Sequence, residues 1–374
     1  MVVTPIERVF IHRTLQNDGR AFSILERIYE AAPIETVDDT RQVIQAVRSL
    51  GDDPLGRGKR TLFLSHHKGR MVGRCPGTSG HICCGYQILD LMSGCPMDCS
   101  YCVLQGYLTN PVVTVFTNLS GLIDELEKAS PQGGASHFRV GPGELSDSLA
   151  LDHLTRFSEE LVPWFARYRD RILELKTKSD QVNHLLDLGH GGRTVVSWSL
   201  NPQSIIDAEE HGTPSLIQRL DGARKCQEAG YPIGLHLDPM ISSDSWEREY
   251  EEMVKQIFRF VDSKRVIWVS MGGLRFPPPL KPIIQDRFPD SRILLGELFP
   301  GKDGKLRYLE AIRVLMFRKM LSWLRDTDSR LFVYLCMETR QVWKAVFGWS
   351  PENTAGLMRI FDQRCREFME RSFV

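Results

Sequence analysis

From about residue 85 onward, short apolar runs alternate with amphipathic stretches. The runs at 86–91, 112–117, 137–140, 171–175, 194–199, 231–237, 265–270 and 331–335 predict strands. Between them, 120–128, 151–168, 215–227, 245–261 and 305–325 carry apolar residues at helical spacing. Ser243 and Asp244 stand where one of these helices needs an N-cap. Strands alternating with helices make βαβ units and a parallel sheet. The expectation is an α/β fold, a partial (βα)6-type barrel over residues 85–330, with its site at the C-terminal ends of the strands. Residues 1–84 read as a helical and loop-rich N-terminal extension, with helices at 22–29 and 40–50 and a polar stretch broken by Gly56, Gly58 and Gly69. Residues 331–374 read as a C-terminal α/β tail covering one end of the barrel.

Charge adds little globally. The 374 residues carry 47 Lys+Arg and 47 Asp+Glu, so the net charge gives no argument for nucleic acid or membrane. The opening residues include Glu7 and Arg8 and no long apolar core, and no run is long enough to span a bilayer. A cytoplasmic protein without a membrane partner is expected. Locally, Arg57, Lys59, Arg60, His66, His67, Lys68, Arg70 and Arg74 form a cationic run around Phe63. Such a run is either a solvated loop or a phosphate-contacting surface.

The cysteines change the picture most. Six of the nine, Cys75, Cys83, Cys84, Cys95, Cys99 and Cys102, are crowded into residues 75–102. In a reducing compartment such clustering points to metal binding or catalysis rather than disulfides. Cys95, Cys99 and Cys102, in CPMDCSYC, follow the first barrel strand with spacings of three and two residues. Four-iron clusters normally take four thiolates. Three on one loop, with no fourth in register, leave one iron of a 4Fe-4S cluster open to chelate the methionine end of S-adenosylmethionine, whose cleavage to a radical the cofactor then performs. The competing reading is a zinc site with Cys83 or Cys84 as fourth ligand, but the paired spacings of structural zinc sites are missing. Cys75, Cys83 and Cys84 read as packing residues, with a second metal site or a redox pair as the alternative.

The C-x₃-C-x₂-C signature, with Tyr101 before its last cysteine, resembles the radical S-adenosylmethionine superfamily. The segments 94–104 (GCPMDCSYCVL), 151–155 (LDHLT), 177–186 (TKSDQVNHLL), 199–201 (SLN), 212–215 (GTPS) and 229–234 (AGYPIG) resemble, in the same order, the spore photoproduct lyase family. The resemblance spans about residues 85–310 and is nearest to an uncharacterised lyase-like branch. It implies a partial barrel and a DNA-lesion repair lyase. The implied chemistry uses a 5′-deoxyadenosyl radical made from S-adenosylmethionine at a 4Fe-4S cluster, with a flavodoxin or ferredoxin as reductant. Residue by residue it implies Cys95, Cys99 and Cys102 as cluster ligands, and Lys178, Ser199 and Asn201 on the cofactor side. Gly141, Gly143 and Glu144 fall at the glycine-rich motif that meets the methionine amino group; a plain strand-end turn is the alternative there. DNA would be met by Arg57, Lys59, Arg60, Lys68 and Arg70. Arg275, Lys305 and Arg307 lie near positions where the lyase presents basic residues to DNA, while Arg313, Arg318 and Lys319 read as a solvated helix face.

Two departures stand out. Glu144 occupies the place of the lyase's hydrogen-donating cysteine, and Val103 that of the tyrosine after the third cluster cysteine. Tyr101, Tyr107 and Cys84 are the residues that could take over hydrogen return. His236 and Asp238, in GLHLDP, suggest a more polar pocket than a stacked thymine pair needs, or else a hydrogen-bonded pair that stabilises a loop. Two alternatives to repair therefore stay open: a radical reaction on a non-DNA substrate, and a non-catalytic metal-binding protein that binds nucleic acid.

Overall fold

The computed structural model describes residues 5–28, 32–75, 77–78, 80–129 and 137–372. Tyr29, at the end of the first expected helix, and Pro76, in the upstream cysteine segment, lie outside the described residues.

The N-terminal segment carries the helices Gly19–Glu26 and Thr40–Arg48 near their expected places. It also carries strands that the sequence pattern did not reveal: β1 (Arg8–His12), β2 (Ile34–Val37), β3 (Thr61–Ser65) and β4 (Val72–Arg74). Each is five residues or fewer, too short for alternation to stand out from flanking polar sequence. They are followed by β5 (Gln87–Leu89), β6 (Met92–Ser93), β7 (Asp98–Cys99), β8 (Val113–Phe116), β9 (Phe138–Gly141), β10 (Arg171–Thr177), β11 (Thr194–Ser199), β12 (Glu210–His211), β13 (Ile233–Met240) and β14 (Val266–Gly273). Then come β15 (Arg275–Phe276), β16 (Leu298–Pro300), β17 (Leu306–Tyr308) and β18 (Val333–Leu335).

Two sheets hold thirteen of these strands; β12 pairs with β7, and β15, β17 and β16 form a small antiparallel sheet. The larger runs β18-β14-β13-β11-β10-β9-β5-β4, parallel throughout except for the edge pair β4/β5. It is the expected partial barrel, lengthened at one edge by β18 from the C-terminal segment. A bridge between Ile82 and Glu338 links the loop before β5 to the residues after β18. The smaller sheet runs β2-β1-β3-β8-β6. The strand expected at 112–117 is therefore β8, paired to β3 and β6 instead of to the barrel. Its apolar run suits a buried strand in either sheet, so pattern alone does not choose the partner. Because β5 belongs to one sheet and β6 to the other, the chain crosses between sheets just before the cysteine loop.

Packing follows the apolar pattern. Trp198, Trp268, Trp343, Phe165, Phe276 and Phe317 are fully buried in one continuous core. Phe10, Phe63, Val43 and Val47 form a small second core under helix Thr40–Arg48. The helix expected over 151–168 is split into Asp152–Thr155 and Phe157–Ala166 by Arg156, whose φ of 54° is left-handed. Ser215 caps helix Leu216–Glu228 with a reciprocal Ser–Gln capping box. Helix Trp246–Phe260 begins later than Ser243 and Asp244 implied, and Ser245 precedes it without a side-chain cap bond. The stretch read as helix from residue 305 first forms β17, and its helix is Glu310–Thr327. No helix among the described residues is long and apolar enough to cross a membrane.

Candidate active site at the barrel mouth

The cysteine loop sits at the C-terminal ends of the barrel strands, where parallel α/β folds place their sites. The Gly94 amide donates to the Leu145 carbonyl, just past β9, at 2.9 Å. β7, inside the loop, pairs antiparallel with β12, and the Ser100 amide donates to the Glu209 carbonyl. Cys99 is buried, and Cys95 and Cys102 are partly so. Burial pushes the Cys95 thiol up to about 12 and raises that of Cys99. Thiols in such a place ionise when a cation displaces their protons, as metal binding does. Among the described residues, no three His, Cys, Asp or Glu side chains converge on a point where one ion could sit.

Behind the loop lies a buried charged network, whose central carboxylate belongs to no motif in the sequence. Its centre is Glu210, fully buried, with Arg219 Nη2 2.6 Å away and Lys178 Nζ 3.9 Å away. The Tyr101 hydroxyl and the Asn201 amide both donate to Glu210. The Tyr250 hydroxyl in turn donates to Asn201 Oδ1 at 2.8 Å. Burial would raise the Glu210 carboxyl, but Lys178, Arg219 and the two hydrogen bonds outweigh it and hold it at about 2. Lys178 Nζ lies 5.4 Å from the centre of the Tyr101 ring and within electrostatic reach of Cys99 and Cys102. Four residues from separate parts of the sequence, Tyr101, Lys178, Asn201 and Glu210, thus meet at one point. Ser199 ends β11 beside them. Glu210 follows the SLN motif and precedes GTPS; a carboxylate between two singled-out motifs was the available signal.

The Gly141-Pro-Gly143-Glu144 turn begins at the last residue of β9. A Cβ on Gly141 would fall 2.0 Å from the Glu174 carbonyl oxygen of β10, and one on Gly143 2.8 Å from Lys176 Cβ. The need for glycine thus arises within the protein, from close approach to β10. Gly141→Ala is expected to destabilise the fold by about 3 kcal/mol or more, because backbone must move; urea unfolding measures it. Glu144 pairs with Lys176 at 3.1 Å. His236 and Asp238 do not pair with each other: His236 Nε2 lies 2.7 Å from Glu174, and Asp238 is bound twice by Arg275, at 2.8 and 3.0 Å. Inside the barrel Arg139 lies 3.6 Å from Glu174 and 4.2 Å from the centre of the Phe361 ring.

The remaining expectations scatter. Cys84 lines a small cavity with His137, Arg139 and Ile172, toward the N-terminal ends of β9 and β10. Tyr107 is 62% exposed on the outer side of the cysteine loop. Arg57, Arg60, Lys68 and Arg70 are exposed, with Arg60 paired to Glu7. Lys59 corrects the expectation of a DNA contact: it is buried and bonded to the cysteine loop. Arg275 and Arg307 are likewise held by Asp238 and Asp303 and do not face outward. Arg313, read as solvated, is buried against Glu338, because its helix turns that face toward the barrel edge.

A family model described as spore photoproduct lyase matches residues 80–309. The spore photoproduct lyase of Geobacillus sp. (strain Y412MC61) is 30% identical over 212 residues, covering 56% of this chain and 62% of the relative. That of Bacillus subtilis (strain 168) is 28% identical over 212 residues, with the same coverage. The chain thus spans a little under two thirds of the length of these two relatives. Among solved structures, spore photoproduct lyase complexed with dinucleoside spore photoproduct superposes with a TM-score of 0.77 at 22% identity, covering 88% of this chain and 99% of that one. A double mutant of spore photoproduct lyase with bound AdoMet and dinucleoside spore photoproduct gives 0.75 at 24% identity, covering 88% and 98%. With its cysteine loop at the mouth of a matching half-barrel and the family match covering more than half its length, the chain belongs to the spore photoproduct lyase family, within the radical S-adenosylmethionine superfamily.

Proposed function

We propose that this chain holds a 4Fe-4S cluster through Cys95, Cys99 and Cys102, binds S-adenosylmethionine against it, and acts as a repair lyase on a DNA lesion. The observation that carries the reading is the seating of three thiols on one loop at the barrel mouth, directly in front of the Lys178–Glu210 network. Held by Cys95, Cys99 and Cys102, such a cluster would supply the electron for reductive cleavage of S-adenosylmethionine.

The chain's own residues supply position. Glu210 ties Tyr101 of the loop to Lys178, and Asn201 is fixed between Glu210 and Tyr250. Gly141 and Gly143 let the strand-end turn lie close to β10, and Ser199, at the end of β11, and Asn201, locked into the Glu210 network, stand on the cofactor side. Of the candidates for returning hydrogen, Tyr101 stands on the cluster loop, whereas Cys84 lies toward the N-terminal ends of β9 and β10; Glu144, paired with Lys176, is left a binding role at the mouth. A flavodoxin or ferredoxin is the matching electron donor, and Arg57, Arg60, Lys68 and Arg70 are the exposed cations available to a DNA backbone. The dinucleoside spore photoproduct bound by the similar solved structures supports a lesion as substrate.

A second reading, radical chemistry on a substrate other than DNA, is favoured by one observation. The Glu144–Lys176 and Asp238–Arg275 pairs place charge around the mouth, where a stacked pyrimidine pair calls for apolar walls. Incubating the reduced, reconstituted protein with S-adenosylmethionine and dinucleoside spore photoproduct separates the two. Conversion to the repaired dinucleotide is expected. Release of 5′-deoxyadenosine with the lesion untouched selects the second reading.

A further inference from the structure

Lys59 stands between the short helix Pro54–Gly58 and β3, in a part of the chain with no motif of its own. Its side chain nevertheless ends in the cysteine loop. Only 8% of the residue is exposed. Its Nζ donates to the Met97 carbonyl at 2.6 Å and to the Cys95 carbonyl at 3.3 Å, and lies 3.5 Å from Asp98 Oδ1. Burying an ammonium is costly unless its protons are bonded and its charge is answered. The carbonyls meet the first need. Asp98 meets the second only partly, because its carboxylate is also gripped by Arg287, at 2.8 and 3.0 Å. Arg287 is anchored in turn by Asp53, at the start of the same short helix. A good part of the Lys59 charge is left to act on the loop, and all three loop thiols lie within its electrostatic reach.

A buried positive charge lowers the energy of a neighbouring group that gains an electron, by more than it would in water. Net charge and burial are among the quantities that set iron–sulfur potentials. We propose that Lys59 is a positioning residue that clamps the cysteine loop and supplies a buried positive charge that makes the group bound there easier to reduce. This rests on the cluster reading above and deepens it. It also assigns the N-terminal segment a part in electron transfer.

The test uses the full chain, reconstituted without oxygen. Iron and sulfide are counted first, and the midpoint potential is then read by a redox titration followed by electron paramagnetic resonance, without S-adenosylmethionine. Lys59→Met is expected to load iron and to be harder to reduce, by about tenfold in the reduction equilibrium, or about 59 mV for one electron. Lys59→Arg keeps the charge and is expected to restore the wild-type potential. Asp98→Asn removes an opposing charge and is expected to shift the potential the other way. If Lys59→Met fails to load, the Arg and Asn variants decide, and wild-type potentials in the Asn variant overturn the charge role. A loaded Lys59→Met protein with unchanged potential overturns it too, while leaving the cluster reading intact. A wild-type protein without iron sinks both.

Discussion

Cys99→Ala is expected to leave a folded protein whose production of 5′-deoxyadenosine from S-adenosylmethionine falls to that of a protein-free control. Cys99 is buried in the loop and paired through β7 to β12. Truncating it removes one small apolar-like group from the interior, costing about 1 kcal/mol in stability. The loop is otherwise pinned by Lys59, by Gln105, which donates to the Cys99 and Ser100 carbonyls, and by the Glu209 carbonyl. Fold and chemistry therefore separate. Circular dichroism and urea unfolding should change little, while iron content and cofactor cleavage collapse. Cys226→Ala is the control: it is equally buried but lies on helix Leu216–Glu228, and it should cost similar stability with cleavage retained.

Glu210→Gln is the second large effect, and here stability and site fall together. The substitution keeps shape, so no cavity opens. It leaves Arg219 and Lys178 buried with their shared counter-charge gone. Breaking a buried ion pair from one side costs about 3–5 kcal/mol, because the charge left behind cannot be solvated. The same pairing gives a pH signature. Glu210 and Glu174 are each held at about 2, below the usual 4.5. For Glu174, burial would raise the carboxyl, but His236, Arg139 and the Ser197 hydroxyl outweigh it. A carboxyl depressed on folding stabilises fully above its unfolded value and loses that contribution as pH falls toward the folded one. Unfolding free energy of the wild type should therefore drop between about pH 4.5 and pH 2. The Glu210→Gln protein, lacking one of the two groups, should start lower and drop less.

Legibility of the sequence was greatest where periodicity is long or chemistry is dense. The barrel strands from Phe138–Gly141 onward were visible because each run is bounded by turn residues and alternates with a helix. The cysteine loop was visible because three thiols at fixed spacing have few uses. The smaller sheet was hidden: TLFLS at Thr61–Ser65 is a five-residue run inside a basic stretch, and pairing β8 to it is a tertiary choice. The Glu210 network was hidden because a glutamate in EEHGTPS looks like surface until the fold places Arg219 and Lys178 against it. In the sequence Lys59 is one cation of a basic run, and only its burial distinguishes it from Arg57 and Arg60. Charge patterns along a chain report net sign, whereas function here depends on which charges the fold takes out of water.

The central claim is that the Cys95–Cys99–Cys102 loop holds iron and sulfide with one position open to S-adenosylmethionine. Anaerobic reconstitution, metal analysis and electron paramagnetic resonance of the reduced protein test it directly. About four iron and four sulfide per chain are expected, with a spectrum that changes when S-adenosylmethionine is added. A colourless protein carrying one zinc on these cysteines, and blind to S-adenosylmethionine, would contradict it.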